Sequence, residues 1–165
     1  PKSPMTLDAC DALITNYPGI PIMVLHADCQ AAIFYDTKQK AIAVVHAGWQ
    51  GNVQNIYAAT VRALSIHYKT QAKDLFVWVS PSLGPKHSEF YNYQQEFPSD
   101  FWNFKDKNHY INLWAVARWQ LESLKIPKEQ IEIAQLCTFE DKYRFFSFRR
   151  EGTTGRNGTA VCITE

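Results

Sequence analysis

Two apolar segments, Ala31 to Tyr35 and Ala41 to Val45, stand either side of the polar run Thr37 to Lys40, and this arrangement limits the fold more than any other stretch. A short polar link between strand-type segments predicts an antiparallel hairpin. A strand rises about 3.3 Å per residue, so two strands of similar length return the chain to its starting level. Ala27-Asp-Cys29 precedes the first of these strands, and His46-Ala-Gly-Trp-Gln-Gly51 follows the second. Cys29 and His46 are therefore expected to meet at one end of the hairpin. A thiolate and a neutral imidazole are ordinary zinc ligands, and they also form the nucleophile and base of cysteine enzymes. The same two residues are compatible with a small buried cysteine and a histidine satisfied by backbone.

The rest of the chain bounds the class. At 165 residues it is expected to form a single domain, long enough to bury roughly two thirds of its unfolded surface without disulfide staples. A net charge of +1 gives no reason to expect nucleic acid or an anionic membrane as partner. No apolar run approaches the ~20 residues of a membrane span. Cys10, Cys29, Cys137 and Cys162 are dispersed, which predicts free thiols and a cytoplasmic setting. The five tryptophans are read as packing residues.

Pro1 to Met5 reads as a linker, and Asp11 to Thr15 as a strand with nothing before it to pair. After the Pro18-Gly19 turn, Ile20 to Leu25 opens the central strand group. Beyond Gly51 the period changes: Val53, Ile56, Tyr57, Thr60, Leu64 and Tyr68 form a helical stripe, with Asn52 as its N-cap. Leu75 to Val79 is a buried strand ending in the loop Ser80 to His87, and a short helix is expected near Ser99 to Phe104. Asn112 caps a second long helix that Pro127 stops. Ile131 to Leu136, Phe145 to Phe148 and Thr159 to Ile163 are strand candidates. Strands and helices interleave, but the hairpins exclude a purely parallel doubly wound sheet.

Asp11-Ala-Leu-Ile-Thr15, Ala27-Asp-Cys29, His46-Ala-Gly-Trp-Gln-Gly51, Leu83-Gly-Pro85 with Glu89, Cys137-Thr138, Phe145-Phe-Ser-Phe-Arg-Arg150 and Thr154-Gly-Arg156 occur in this order. Together they resemble the laccase-domain, or YfiH-like, family, long called polyphenol oxidases and now regarded as purine nucleoside phosphorylases. The resemblance implies an α/β (α+β) fold with mixed β-sheets and flanking helices, layered as an α/β/β/α sandwich. It implies one laccase-like domain over residues 1–165, without the family's N-terminal segment. It also implies that Cys29 and His46 are catalytic metal ligands, completed in relatives by a histidine upstream of the Asp-Ala-Leu motif. Substrate-lining roles follow for Gln50, Arg149, Arg150 and Arg156. Gln50 replaces the arginine that usually follows the His-Ala-Gly-Trp motif. His87 is a candidate substrate-site residue or substitute ligand, whereas His26 is expected on the opposite face from Cys29.

Zinc is the expected cofactor. Copper, which the family's older label suggests, would need a His₂Cys centre and a further histidine-rich cluster, and the chain has five histidines in all. The expected partners are a nucleoside and phosphate, with adenosine deamination as an accessory activity; the oligomeric state is open. Two other readings stay open. One is a metal-free cysteine hydrolase with Cys29 as nucleophile, His46 as base, and Asp28 or a backbone carbonyl orienting the histidine. The other is a catalytically impaired family member acting as a binding module.

Overall fold

The computed structural model describes residues 5–164. Of the linker expected at Pro1 to Met5, all but Met5 lies outside the described residues. Five strands form the main sheet: β1 (Ala12–Thr15), β3 (Gln30–Asp36), β4 (Ala41–Ala47), β5 (Leu75–Val79) and β6 (Ile131–Ile133). Their order across the sheet is β1-β4-β3-β5-β6, antiparallel except for the parallel β5–β6 pair. A second, two-stranded antiparallel ribbon pairs β2 (Ile22–His26) with β7 (Asn157–Val161). The expected strand at Ile20 to Leu25 therefore exists, but it belongs to this ribbon and not to the central hairpin. β1, expected to have nothing before it to pair with, pairs with the later strand β4 at one edge of the main sheet.

Alternation along β3 and β4 explains the layering. Ala32, Phe34, Ala43 and Val45 point to one face, where they pack with Tyr57, Leu64, Ala117 and Leu121 from helices α2 (Ile56–Tyr68) and α4 (Leu113–Ser123). Ala31, Ile42 and Val44 point to the other face and pack against Ile22 and Val24 of the ribbon. The described residues thus build a mixed sheet with helices on one face and the ribbon on the other, the mixed α/β arrangement expected. A third cluster, Phe97, Phe101, Ile111 and Val116 with Trp49, gathers the aromatic stretch that had no clear period. Ser99–Phe104 within it is a 3₁₀ helix. Among the described residues no helix is long and apolar enough to cross a membrane.

Three local expectations are corrected. The helix after Gly51 is two helices, α1 (Trp49–Val53) and α2, broken at Asn55, which adopts φ 53° and caps α2 by accepting from the Ala58 N–H. Asn52 is no cap but a buried residue inside α1. Phe145 to Phe148 is not a strand; it leads into a single turn, α5 (Phe148–Glu151), capped by the Ser147 hydroxyl.

Asn52 instead belongs to a buried polar group that binds the layers together. Its side-chain amide donates to Gln30 Oε1 at 3.2 Å and to the carbonyls of Ala47 and Gly48, while its backbone carbonyl accepts from Gln120 Nε2 at 2.7 Å. Gln30 also accepts from the Tyr57 hydroxyl at 3.0 Å and donates to the Leu113 carbonyl. Strand β3 and helices α1, α2 and α4 are thus joined by hydrogen bonds buried away from solvent. Asn52→Ala is expected to lower stability by about 1–3 kcal/mol, the cost of leaving buried carbonyls unpaired, measured as a lower urea midpoint with an unchanged slope.

Candidate functional site

The two registers that meet on β4 place the site. Ala31 lies opposite His46 in the β3–β4 pair, and two steps further the same register sets Cys29 against Gly48. Cys29 and His46 are then diagonal neighbours on one face, a spacing within reach of a cysteine and an imidazole. In the β1–β4 pair Ala12 lies opposite Val45, so Asp11 falls directly opposite His46, whose N–H donates to the Asp11 carbonyl at 2.7 Å. Asp11, His46 and Cys29 consequently share one face across three neighbouring strands.

Side-chain contacts follow that placement. His46 Nδ1 donates to Asp11 Oδ1 at 2.9 Å, and the Cys29 sulfur and the His46 ring both border Gly48. The Cys29 hydrogen bond, then that of Asp11, outweighs partial burial and raises the His46 pKa to about 9. Gly48 leaves room for the pair: a Cβ there would stand 3.3 Å from Cys29 Sγ and 3.6 Å from His46 Cε1. The loop that delivers Cys29 turns at Asp28, which holds φ 79°, an uncommon value for a residue with a side chain. Its carboxylate accepts from the Thr138 hydroxyl and from the Arg149 N–H, both at 2.6 Å, and its carbonyl accepts from Leu83 N–H at 2.8 Å. Asp28 therefore does not orient His46; Asp11 does. Asp11 stands in the Asp-Ala-Leu motif, but its role depends on β1 lying beside β4, a pairing between strands far apart in sequence.

The other expected site residues are placed as follows. Gln50 is exposed in the first turn of α1. Arg149 sends two guanidinium N–H groups to the Glu89 carbonyl at 3.2 and 3.3 Å. It lines an open hollow with Trp49, Glu89, Tyr91 and Asn92, beside the segment that carries His46. Arg150 turns away: its guanidinium donates to the carbonyls of Thr138, Phe139 and Phe145 and pairs with Glu151, which makes it a clamp on the chain. Arg156 is exposed and donates to Thr154 and Gly155 carbonyls of its own loop. His87 does not join Cys29 and His46; it lies 3.2 Å from Glu140 and close to Cys137.

The donor set decides which ion the pair can serve. Cys29 and His46 supply a sulfur and a nitrogen, with an outer carboxylate on the imidazole in the manner of zinc sites. Among the described residues no third His, Cys, Asp or Glu joins them within 4.8 Å. His26 is satisfied elsewhere, donating from Nδ1 to the Cys29 carbonyl and accepting at Nε2 from the Thr159 hydroxyl, each at 2.9 Å; burial holds its pKa below the usual value. His67 ends α2 and His109 stacks on Tyr93. Among the described residues the histidines do not gather into a multicopper cluster, and Cys29 with His46 offers a metal ion one sulfur and one nitrogen donor.

Comparison with known proteins agrees with this architecture. A family model described as multi-copper polyphenol oxidoreductase laccase matches residues 2–164. A Bacteroides thetaiotaomicron protein named purine nucleoside phosphorylase is 33% identical over 95% of the chain and 62% of its own length. A Haemophilus influenzae protein of the same name is 30% identical over 98% of the chain and 67% of its own length. The crystal structure of the Bacillus licheniformis hypothetical protein YfiH superposes with a TM-score of 0.82 at 26% identity, covering 94% of the chain and 62% of that protein. The chain thus spans under two thirds of the Bacteroides relative.

The His46 pKa can be read directly. Because the folded value of about 9 lies above the ordinary 6.5, the interaction stabilises the fold fully below pH 6.5 and is lost as pH rises through about 9. In protein stripped of metal, an NMR titration of His46 should show a midpoint near 9, moving back toward 6.5 in Cys29→Ser. An unmoved midpoint in that variant would show that the sulfur is not the partner.

Proposed function

Because this chain belongs to the multi-copper polyphenol oxidoreductase laccase family, we propose that it acts as a purine nucleoside phosphorylase with its chemistry centred on Cys29 and His46. The observation that carries the reading is the convergence of those two side chains beside Gly48, with Asp11 fixing the imidazole from behind. Cys29 and His46 would hold zinc as two of its ligands, and the ion would orient an anionic nucleophile in the site. The Asp11 carboxylate keeps the proton on His46 Nδ1 and so presents Nε2 to the site.

In phosphorolysis a phosphate oxygen attacks the anomeric carbon, the bond from that carbon to the purine breaks, and the base leaves with the bonding pair. The residues near the pair suit those needs. Arg149 carries five N–H donors, two of them committed to the Glu89 carbonyl, so donors remain for a phosphate oxygen. Trp49 and Tyr91 line the hollow it shares, offering aromatic surface to a planar base, and Glu89 offers an acceptor for a ring N–H. Inosine to hypoxanthine and ribose 1-phosphate is the reaction expected, with adenosine deamination accessory to it.

A metal-free cysteine hydrolase is favoured by one observation of its own: a carboxylate holds His46 at Nδ1 and the Cys29 sulfur borders Gly48 together with the same ring, as in a nucleophile triad. One assay separates the two. The phosphorylase should release hypoxanthine from inosine only when phosphate is present, lose that activity to a chelator, and fall by about 10- to 100-fold in Asp11→Asn, the usual effect of an outer partner of a metal ligand. Base release that ignores both phosphate and chelator, but stops on alkylation of Cys29, would instead establish the hydrolase.

A further inference from the structure

Beyond the Cys29–His46 pair, the described residues bring one group of three donors together: His87, Cys137 and Glu140, whose ligand atoms all lie within 4.8 Å of one another. We propose that these residues form a second cation site, for a divalent ion of the zinc class. Each side chain is of a type that zinc takes, and a sulfur among the donors selects against magnesium and calcium. Ligands about 2.0–2.3 Å from a tetrahedral ion stand roughly 3.3–3.8 Å apart, so closure on an ion needs shifts of about 1 Å or less.

The scaffold around the three is already built. Ser82 bridges to Cys137 in parallel fashion, donating its N–H to the Leu136 carbonyl and accepting the Thr138 N–H, both at 3.1 Å. The Gly84 N–H donates to Cys137 Sγ at 3.2 Å, a contact that stabilises a thiolate. A Cβ on Gly84 would stand 3.0 Å from that sulfur, so the close approach depends on the missing side chain. The His87 ring stacks on Phe139 with centroids 4.1 Å apart and planes 19° apart, which fixes its orientation without using a ring nitrogen. His87 Nε2 faces Glu140 Oε1 at 3.2 Å, so nitrogen and carboxylate oxygen already point at each other. Zinc-class ions take cysteine as the thiolate, so an ion entering here releases the proton of the Cys137 thiol to solvent.

Access comes from the open hollow formed by Gln135, Leu136, Tyr143 and Arg144, which borders Cys137 and Glu140. The ligands come from two loops 53 residues apart in sequence, and an ion would cross-link them. This site stands on its own donors and does not depend on the phosphorylase reading.

The test is cobalt(II) titration of the whole chain after chelator treatment, following the thiolate-to-cobalt absorption band. Cys29→Ser removes the sulfur of the other pair, and the band is expected to persist in it. In that background His87→Ala and Glu140→Gln, both at partly exposed positions, should each weaken cobalt binding by more than about tenfold, a loss that even outer-shell changes produce at metal sites. Circular dichroism of each variant keeps a folding defect distinct from a lost ligand. Loss of the band in folded Cys29→Ser, or unchanged affinity in both His87→Ala and Glu140→Gln, overturns the proposal.

Discussion

The register of β4 against its two neighbours is the constraint from which the rest of the site follows. Pairing with β3 sets His46 opposite Ala31, and pairing with β1 sets it opposite Asp11, so three chemically distinct residues share one face. A slip of one residue in either pair would turn that strand's side chains to the other face. The apolar alternation resists such a slip, because Ala43 and Val45 would leave the helical side while Ile42 and Val44 entered it. Core packing and site assembly are therefore one specification. Ala31 adds to it by being small, leaving space between Cys29 and His46 on the face they share.

Around this face the protein uses polar groups in two ways. Behind the sheet, Gln30 and Asn52 exchange hydrogen bonds with each other, with Tyr57 and with backbone carbonyls, which immobilises the start of β3 and the turn after β4. In front of it, the charged groups are held by loops. The two neighbouring arginines illustrate the difference: Arg150 spends its guanidinium on three carbonyls and a carboxylate, whereas Arg149 faces the hollow beside Trp49. Side chains adjacent in sequence thus diverge into a structural and a solvent-facing role, because α5 turns the chain between them.

The hairpin and the meeting of Cys29 with His46 were legible because short polar links and apolar runs encode local antiparallel pairing. Both long helices were legible from their stripes, and Asn112 as a cap from its position. What escaped the sequence depended on contacts between distant segments. Ile22 to His26 has the composition of a central strand, and only its partner Asn157–Val161 assigns it to the ribbon. The stripe from Val53 to Tyr68 runs through Asn55 without a break in hydrophobicity, so the left-handed turn there left no signal beyond a single asparagine. Phe145 to Phe148 resembled a strand by aromatic content, but the Asn157 side chain takes the Phe146 N–H and carbonyl and the Asp141 carbonyl takes the Phe145 N–H, in place of a strand ladder. Asp11 and the company of His87 were hidden for the same reason.

Asp28 joins these distant segments in one place. Its backbone receives the loop that leads to His87, its carboxylate holds Thr138 and the first turn of α5, and the residue after it is Cys29. Three stretches of chain otherwise lacking regular ladders are thereby anchored to a single uncommon backbone conformation. Such segments would ordinarily fluctuate one by one. Here the backbone carbonyl and the carboxylate of one residue tie all three to the turn that carries Cys29, so displacing any of them strains the others and links the two groups of donors.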